Sequence, residues 1–248
     1  MFDFLFYLYI INNTFEKHLF IGGFVMNGEA VVLEHSETKS FSLVTYKIIK
    51  RVFDIICSII GIIFLIPIII IIKIISLLSG DFKSIFFSQL RYGKNGKTFK
   101  LYKFRSMVPN ADEVLEKLLK EDKKAAQEYK KNKKLKNDPR ITKIGKIIRK
   151  ASIDELPQLI NVLKGDMSMI GNRPYLPREK EDMAEYFNDV LSTKPGITGY
   201  WQVSGRSNTT FKDRLKLEKY YSEHRGLKMD IKIFFKTFST VLSGKGSN

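Results

Sequence analysis

Residues 55–72 read IICSIIGIIFLIPIIIII, a run without a charge between Asp54 and Lys73. At a rise of about 1.5 Å per residue, this helix would be about 27 Å long, which barely reaches across a hydrocarbon core of roughly 30 Å. Pro67 predicts a kink, because it removes one backbone hydrogen bond. The segment by itself therefore predicts a membrane helix, and on segment statistics alone a simple kinked span is favoured.

Basic residues flank this apolar segment on both sides. They are Lys47, Lys50 and Arg51 before it, and Lys83, Arg91, Lys94, Lys97 and Lys100 after it. Because basic residues favour the cytoplasmic side, a single span would place one of these clusters on the unfavourable side. A re-entrant segment that enters, turns at Pro67 and leaves on the same side satisfies both, so the charge pattern favours this form.

The membrane segment divides the chain into three predicted parts, which are an N-terminal tail (1–45), a re-entrant membrane helix (46–80) and a compact cytoplasmic domain (81–248). Residues 1–25 are apolar but lack the basic start of a signal peptide, and Met26 is an alternative start of the protein. Residues 26–45 are polar and without periodicity, which predicts a loop.

The cytoplasmic part predicts an α+β fold that is mostly helical. Residues 86–107 form two alternating runs around a glycine-containing turn, which indicates a strand pair. Residues 110–136 have helical spacing and are expected to form one helix, closed by Pro139. A short helix is predicted over 157–163, ending near Gly165.

Two further helices are amphipathic. Ile141, Ile144, Ile147 and Ile148 form one stripe of a short basic helix, which suits a bilayer interface with anionic lipid but equally an ordinary surface helix. Residues 225–242 indicate a helix whose apolar face is expected to pack into the core, with shallow lipid contact as the alternative. This face holds Leu227, Ile231, Phe234, Phe235, Phe238 and Leu242.

Composition restricts the chemistry. The chain has 42 Lys and Arg against 26 Asp and Glu, a net charge of +16, which implies anionic partners such as nucleic acid, anionic lipid or phosphorylated substrates. The single cysteine, Cys57, excludes an intramolecular disulfide and a cysteine-rich zinc site, and the three scattered histidines disfavour a histidine-based site. Carboxylates and basic side chains are therefore expected to carry any chemistry.

Candidate groups are densest in ASIDELPQLINVLKGDMSMIGNRP, residues 151–174. Asp154 and Glu155 precede a predicted helix start, where Ser152 and Glu155 also match a capping box, so a purely structural role stays open. Carboxylates between Arg149 and Arg173 suit phosphoryl chemistry. One can attack phosphorus, the other can hold Mg²⁺, and the arginines can clamp phosphate oxygens.

A second glycine-rich stretch, KPGITGYWQVSGR, occupies residues 194–206. Its glycines permit close approach of a ligand to the backbone but are equally common in plain turns, and Gln202 and Arg206 are its candidate binding side chains. The chain contains neither G-x-G-x-x-G nor a Walker pattern, which argues against a Rossmann or P-loop nucleotide site.

Several motifs occur in order along the chain. They are Lys50-Arg51-x-x-Asp54, Pro67, Gln89-x-Arg91-x-Gly93-x-x-Gly96-x-x-Phe99, Lys103-Phe104-Arg105-Ser106-Met107, Asp138-Pro139-Arg140-Ile141-Thr142, Ser152-Ile153-Asp154-Glu155-Leu156-Pro157-Gln158, Gly165-Asp166-Met167-Ser168, Arg173-Pro174 and Pro195-Gly196-Ile197-Thr198-Gly199. Each motif alone is weak. With this ordered set, roughly residues 45–245 resemble the bacterial sugar transferases, the monotopic polyprenyl-phosphate phosphoglycosyl transferases.

The resemblance implies an enzyme of the bacterial inner membrane that faces the cytoplasm on a re-entrant helix. It would transfer a sugar 1-phosphate from a UDP-sugar to undecaprenyl phosphate with Mg²⁺, release UMP and initiate exopolysaccharide, capsule or O-antigen assembly. It implies Asp154 as the nucleophile of a covalent intermediate, with Glu155 beside it serving the metal or protonation. Further matched positions are Lys103, Arg105, Arg149, Arg173 and Asp230.

Two positions depart from the family pattern. Asn172 replaces a proline, which predicts a looser turn before Arg173, and Ile66 replaces a serine before Pro67. The competing hypothesis is a non-enzymatic, membrane-tethered basic protein that binds nucleic acid or anionic lipid. It explains the charge and the membrane helix but not the ordered motifs, so no nucleic-acid partner is expected. Galactose or glucose is the favoured sugar, and the oligomeric state stays open.

Overall fold

The computed structural model describes residues 30–133, 135–204 and 209–242, with side chains for 43–130, 133, 135–204 and 209–239. The predicted tail over 1–25 and the candidate Arg206 lie outside the described residues. The chain forms two compact units, Met1–Phe53 and Asp54–Asn248.

The described residues are mostly helical, as predicted, and they contain two small sheets, of which the sequence predicted one. The helices are α1 (Ala30–Leu78), α2 (Ala111–Glu121), α3 (Lys123–Asn132), α4 (Lys143–Lys150), α5 (Gln158–Lys164), α6 (Lys180–Met183), α7 (Phe187–Leu191), α8 (Tyr200–Ser204), α9 (Phe211–His224) and α10 (Leu227–Leu242). The strands are β1 (Phe86–Tyr92), β2 (Thr98–Phe104), β3 (Ser168–Ile170) and β4 (Gly196–Thr198). Short 3₁₀ turns cover Lys94–Gly96, Ile153–Glu155, Pro177–Glu179 and Ala184–Tyr186.

The predicted strand pair is confirmed. Strands β1 and β2 are antiparallel, from the pair Phe86 and Phe104 to the pair Tyr92 and Thr98. The turn between them places Asn95 at φ 57°, a left-handed conformation that asparagine tolerates better than most residues. This hairpin delivers Lys103 to the end of β2 next to the candidate site.

The second sheet pairs β3 with β4 in parallel and brings the two glycine-containing stretches together. A Cβ atom on Gly196 would lie 2.1 Å from the backbone nitrogen of Gly171, and one on Gly199 would lie 2.0 Å from its carbonyl oxygen. Because no side chain fits at these distances, the close pairing requires glycine at both positions. The segment leading to Arg173 thereby lies beside the one leading to Gln202.

The membrane helix is longer than predicted. Helix α1 begins at Ala30, so the prediction of a loop over 26–45 is wrong for residues 30–45; extending a formed helix adds one hydrogen bond per residue at little cost. The helix continues through Pro67. Its part Leu43–Leu78 is long and apolar enough to cross a membrane.

The part of α1 that belongs to the second unit begins at Asp54. One side of this part packs against the rest of the same unit. The carboxylate of Asp54 accepts hydrogen bonds from Ser168 and Met169. A Cβ atom on Gly61 would already meet the Leu159 side chain at 2.7 Å. Further along, Leu65 and Ile72 join a core cluster with Ile85, Phe104 and Ile148. Between Asp54 and Ile72, about 27 Å of helix therefore lies along the folded domain.

The predicted helix over 110–136 is two helices. Asp122 takes an extended conformation between α2 and α3, and its side chain accepts hydrogen bonds from the backbone N–H groups of Lys124 and Ala125. An aspartate in this geometry is a strong N-cap, so it ends one helix and starts the next. The basic helix α4 and the short helix α5 are confirmed, the latter ending at Gly165 with φ 90°.

The C-terminal helix forms as predicted but buries a different face. Ile233 and Asp230 are buried, whereas Leu227, Ile231, Phe235 and Phe238 are exposed. The prediction of core packing is therefore wrong for these four side chains, which form an apolar surface, whereas Phe234 packs against the core as predicted. The side chain of Leu242 lies outside the described set.

Candidate active site

Asp154 and Glu155 lie on the 3₁₀ turn Ile153–Glu155, directly after Ser152. Ser152 has φ 57° and makes no capping hydrogen bond, so the predicted capping box is wrong. A left-handed serine costs free energy, and such strain often accompanies functional geometry. The turn holds the Asp154 side chain in a buried position and leaves the Glu155 side chain 35% exposed.

Glu155 is strongly stabilised as an anion. Its Oε1 atom lies 2.7 Å from Nζ of Lys103. Removal from water raises the pKa of Glu155, but the charges of Lys103, Arg173 and Arg91 outweigh this effect and lower the pKa to about 2. Glu155 is therefore an ionised carboxylate throughout the physiological range.

Asp154 is shifted in the opposite direction. Burial raises its pKa, the charge of Glu155 adds to the rise, and the charges of Lys103 and Arg149 oppose it. A carboxylate with a raised pKa is more basic and so a better nucleophile than an ordinary aspartate. Two adjacent carboxylates with opposite pKa shifts are suited to two different roles.

A pocket opens beside Glu155 and is rich in positive charge. Its polar lining consists of Arg91, Lys103, Glu155, Gln158, Arg173 and Gln202. The predicted site residues Lys103, Arg173 and Gln202 are thus brought together with Glu155. Three cations around one carboxylate leave a net positive site, which favours a phosphorylated ligand.

Arg91 and Gln158 belong to this pocket but were not predicted as site residues. Arg91 donates from Nη1 to the carbonyl oxygen of Pro174 at 3.1 Å and from Nη2 to Gln89 at 2.8 Å. Burial, followed by the charge of Arg173, lowers the pKa of Arg91 to about 10, so it stays cationic at neutral pH. Its place in the Gln89-x-Arg91 motif was the available sequence signal.

Hydrogen bonds hold the turn that presents Arg173, and the looser turn expected at Asn172 stays a prediction. The Asn172 side-chain amide donates to the carbonyl oxygen of Val190 at 2.9 Å and to Oγ of Ser222 at 2.7 Å. The backbone N–H of Arg173 donates to Oε1 of Glu218 at 3.1 Å. These hydrogen bonds replace the stiffness that a proline would provide.

Arg149 lies close enough to Asp154 to influence its titration. Its Nε atom donates to Oγ of Ser106 at 3.0 Å, which fixes the guanidinium at the end of α4. Its charge lowers the pKa of Asp154, against the larger effect of burial. Arg149 is therefore within electrostatic reach of the candidate nucleophile.

Two other predicted site residues bond to the scaffold. Arg105 donates to Asp81 at 2.8 Å and to the carbonyl oxygen of Ser84 at 2.7 Å, which fastens the chain after α1 to β2. Asp230 is buried and accepts a 2.8 Å hydrogen bond from the Tyr221 hydroxyl, which joins α10 to α9. Neither side chain lines the pocket beside Glu155.

A magnesium ion would need help from the substrate at this site. Within the described residues, no group of three or more His, Cys, Asp or Glu side chains is placed to hold a metal ion. Mg²⁺ nevertheless commonly binds through one or two carboxylates plus substrate phosphates and water. Asp154 and the permanently ionised Glu155 fit such a partial site.

Sequence comparison relates this chain to known proteins. Residues 45–244 match the bacterial sugar transferase family. An uncharacterized sugar transferase of Haemophilus influenzae is 41% identical over 224 residues, which are 90% of this chain and 47% of that protein. The undecaprenyl-phosphate galactose phosphotransferase of Salmonella typhimurium is 45% identical over 201 residues, 81% of this chain and 42% of that protein.

A shorter relative is matched over most of its length. The exopolysaccharide production protein ExoY of Sinorhizobium fredii is 39% identical over 201 residues, 80% of this chain and 87% of that protein. The chain spans less than half of the two longer relatives. Since the family match runs from before the end of α1 to beyond α10 and contains every candidate site residue, this chain belongs to the bacterial sugar transferase family.

Proposed function

We propose that this protein transfers a sugar 1-phosphate from a UDP-sugar to undecaprenyl phosphate, with Asp154 as the nucleophile. The observation that carries the proposal is the pairing of a buried, more basic Asp154 with a fully ionised Glu155 beside a cationic pocket. A non-enzymatic anion-binding surface would not require two adjacent carboxylates with opposite pKa shifts.

The reaction would proceed in two displacements. A carboxylate oxygen of Asp154 attacks the sugar-bearing phosphorus of the donor, and the bond from that phosphorus to the bridging oxygen breaks. UMP leaves with the electron pair. A phosphate oxygen of the lipid then attacks the same phosphorus, which returns Asp154 to its free carboxylate. Arg91, Lys103 and Arg173 balance the phosphate charge in both steps.

Mg²⁺, when bound by Glu155 and Asp154 together with the donor, would withdraw charge from the diphosphate. The low pKa of Glu155 keeps this ligand ionised. Lys103 then has two functions, since it pairs with Glu155 and also lines the pocket.

A wholly apolar cleft supports a lipid acceptor. Its volume is about 280 Å³, and it is lined by Ile68, Ile71, Ile72, Ile75, Ile144, Ile147, Ile148 and Ile153. Ile153 immediately precedes Asp154, so a hydrocarbon chain in this cleft would end near the candidate nucleophile. The basic residues of α4, which forms one wall, suit the lipid phosphate.

The packing of α1 supports the proposal that both ends of the 55–72 segment lie on the cytoplasmic side, although the helix continues through Pro67, where a turn was predicted. Asp54 and Ile72 contact the same folded domain about 27 Å apart along the helix. A helix spanning the hydrocarbon core could not keep a water-soluble domain against it over that length. The outward side of α1 remains apolar, with residues such as Ile63 and Phe64 exposed, and is suited to lipid.

The donor half-reaction tests the proposal. Wild-type protein given UDP-sugar and Mg²⁺ without acceptor should release up to one equivalent of UMP and gain the mass of a sugar phosphate. Asp154→Asn keeps the size of the side chain but removes the nucleophile, so it should show neither signal. Asp189→Asn, at a surface ion pair with Lys219, is the matched control and should behave as wild type. An adduct in Asp154→Asn would place the nucleophile elsewhere.

A further inference from the structure

One face of α9 supports the turn that presents Arg173. Arg214, Glu218 and Ser222 are spaced one helical turn apart, so they lie on the same face, and all three are buried. Ser222 accepts a hydrogen bond from Asn172, and Glu218 accepts one from the backbone of Arg173. Helix α9 therefore holds Asn172 and Arg173 through side chains that are one helical turn apart on the same face.

Arg214, the third residue of this face, packs on the same aromatic ring as Arg173. The guanidinium carbon of Arg214 lies 4.2 Å from the centre of the Trp201 ring, and that of Arg173 lies 5.8 Å from the same ring. Two arginines on one ring form a compact positive cluster, and burial, followed by the charge of Arg173, lowers the pKa of Arg214. A carboxyl group beside them can set how much positive charge the cluster presents.

Glu218 is that carboxyl group. Its side chain is 1% exposed, and the charged or titratable groups that face it are Tyr175, Arg173 and Arg214. Burial raises the pKa of Glu218 to about 7, although the nearby Tyr175 hydroxyl, the hydrogen bond from the Arg173 backbone, and the charges of Arg214 and Arg173 oppose the rise. Glu218 thus changes its charge near neutral pH, next to a residue of the pocket.

We infer that Glu218 is a positioning residue for donor binding, which fixes the backbone of Arg173 and sets through its own protonation how strongly the Arg173 guanidinium attracts the donor's diphosphate. This inference rests on the proposed function. When protonated, Glu218 leaves the positive charge of Arg173 available to the ligand. When ionised, it neutralises part of that charge from behind, so the donor binds more weakly as the pH rises through 7.

The test uses the full chain in nanodiscs and three variants. Glu218→Gln keeps an oxygen that accepts the Arg173 N–H and mimics the protonated acid, whereas Glu218→Ala removes the support. Glu223→Gln, an exposed position on the same helix, is the matched control. UMP release gives KM and kcat for the UDP-sugar between pH 6 and 8.5, and calorimetric titration of the UDP-sugar gives its affinity without turnover.

Wild type and Glu223→Gln should show a KM that rises roughly tenfold through pH 7, as one nearby charge appears. Glu218→Gln should keep the low KM across the range, and Glu218→Ala should raise KM at every pH more than it lowers kcat. An unchanged pH profile in Glu218→Gln, or a loss of kcat at constant KM in Glu218→Ala, would overturn the inference. Wild type that binds the donor with the expected pH dependence but releases no UMP would instead refute the proposed transfer.

Discussion

Removing the carboxylate of Asp54 should detach the membrane helix from the sheet it packs on. Asp54 is 3% exposed, and its Oδ1 atom accepts hydrogen bonds from Ser168 Oγ at 2.9 Å and from the Met169 N–H at 2.8 Å. Hydrogen bonds to a charged group are worth about 1.5–3 kcal/mol each, and a lost partner leaves buried donors unpaired. Asp54→Ala should therefore lower the free energy of unfolding by about 4 kcal/mol.

The assay is thermal unfolding in nanodiscs, followed by tryptophan fluorescence and circular dichroism. For a unit of roughly 200 residues, 1 kcal/mol corresponds to about 2–4 °C, so Asp54→Ala should lower Tm by about 8–16 °C. Both hydrogen bonds end on one oxygen, which Asp54→Asn retains without its charge. That variant should lose only about 1 kcal/mol, or about 2–4 °C. If Asp54→Ala unfolded within 2 °C of wild type, the attachment of α1 through Asp54 would be refuted.

Two further perturbations test the support of the turn that carries Asp154 and Glu155. A Cβ atom on Gly145 would lie 1.9 Å from the carbonyl oxygen of Ser106, so Gly145→Ala should displace α4, break the bond from Arg149 to Ser106 and lower Tm by several degrees; an unchanged Tm would contradict the close packing. Lys103→Met removes the largest stabilising charge on Glu155, whose pKa then rises from about 2 toward its ordinary value. Above the pKa that Glu155 has in the unfolded chain, its ionised carboxylate stabilises the fold. This stabilisation is lost as the pH falls through the pKa of Glu155 in the folded protein, so the loss should begin at a higher pH in the variant. Because the charge of Lys103 also lowers the pKa of Asp154, the acid limb of the pH–rate profile should move up by about one pH unit, and an unmoved limb would contradict the influence of Lys103 on the two carboxylates.

Local pattern was sufficient for several elements of this fold. The β1–β2 hairpin, α4 and α5 follow from alternation, helical spacing and turn residues within a short window. The break at Asp122 also has a local cause, since aspartate is a strong N-cap. It was not predicted, because the helical spacing of apolar residues on both sides indicated one continuous helix. The buried face of α10 could not be predicted in this way. Both sides of that helix are apolar, and the domain determines which side is covered.

The candidate site shows the same division. Asp154, Glu155, Lys103 and Arg173 could be named from motifs, whereas the hydrogen bond from Arg91 to Pro174 joins residues 83 positions apart. No spacing rule predicts such a contact. The sequence also does not show whether a charged motif residue pairs with a ligand or with another residue of the protein. Arg105, bonded to Asp81, shows that a matched motif position can hold the scaffold together.

Under the proposed function, the 3₁₀ turn at residues 153–155 would let one short segment serve both the lipid acceptor and the water-soluble donor. Such a turn has about three residues per revolution, so consecutive side chains point about 120° apart. Ile153 lines the apolar cleft, and Glu155 lines the cationic pocket. Asp154 lies between them in the sequence and is buried. Helix α4 ends at Lys150, and Ser152 in its left-handed conformation directly precedes the 3₁₀ turn. Under the proposed function, this turn would place the candidate nucleophile Asp154 between a residue of the acceptor cleft and a residue of the donor pocket.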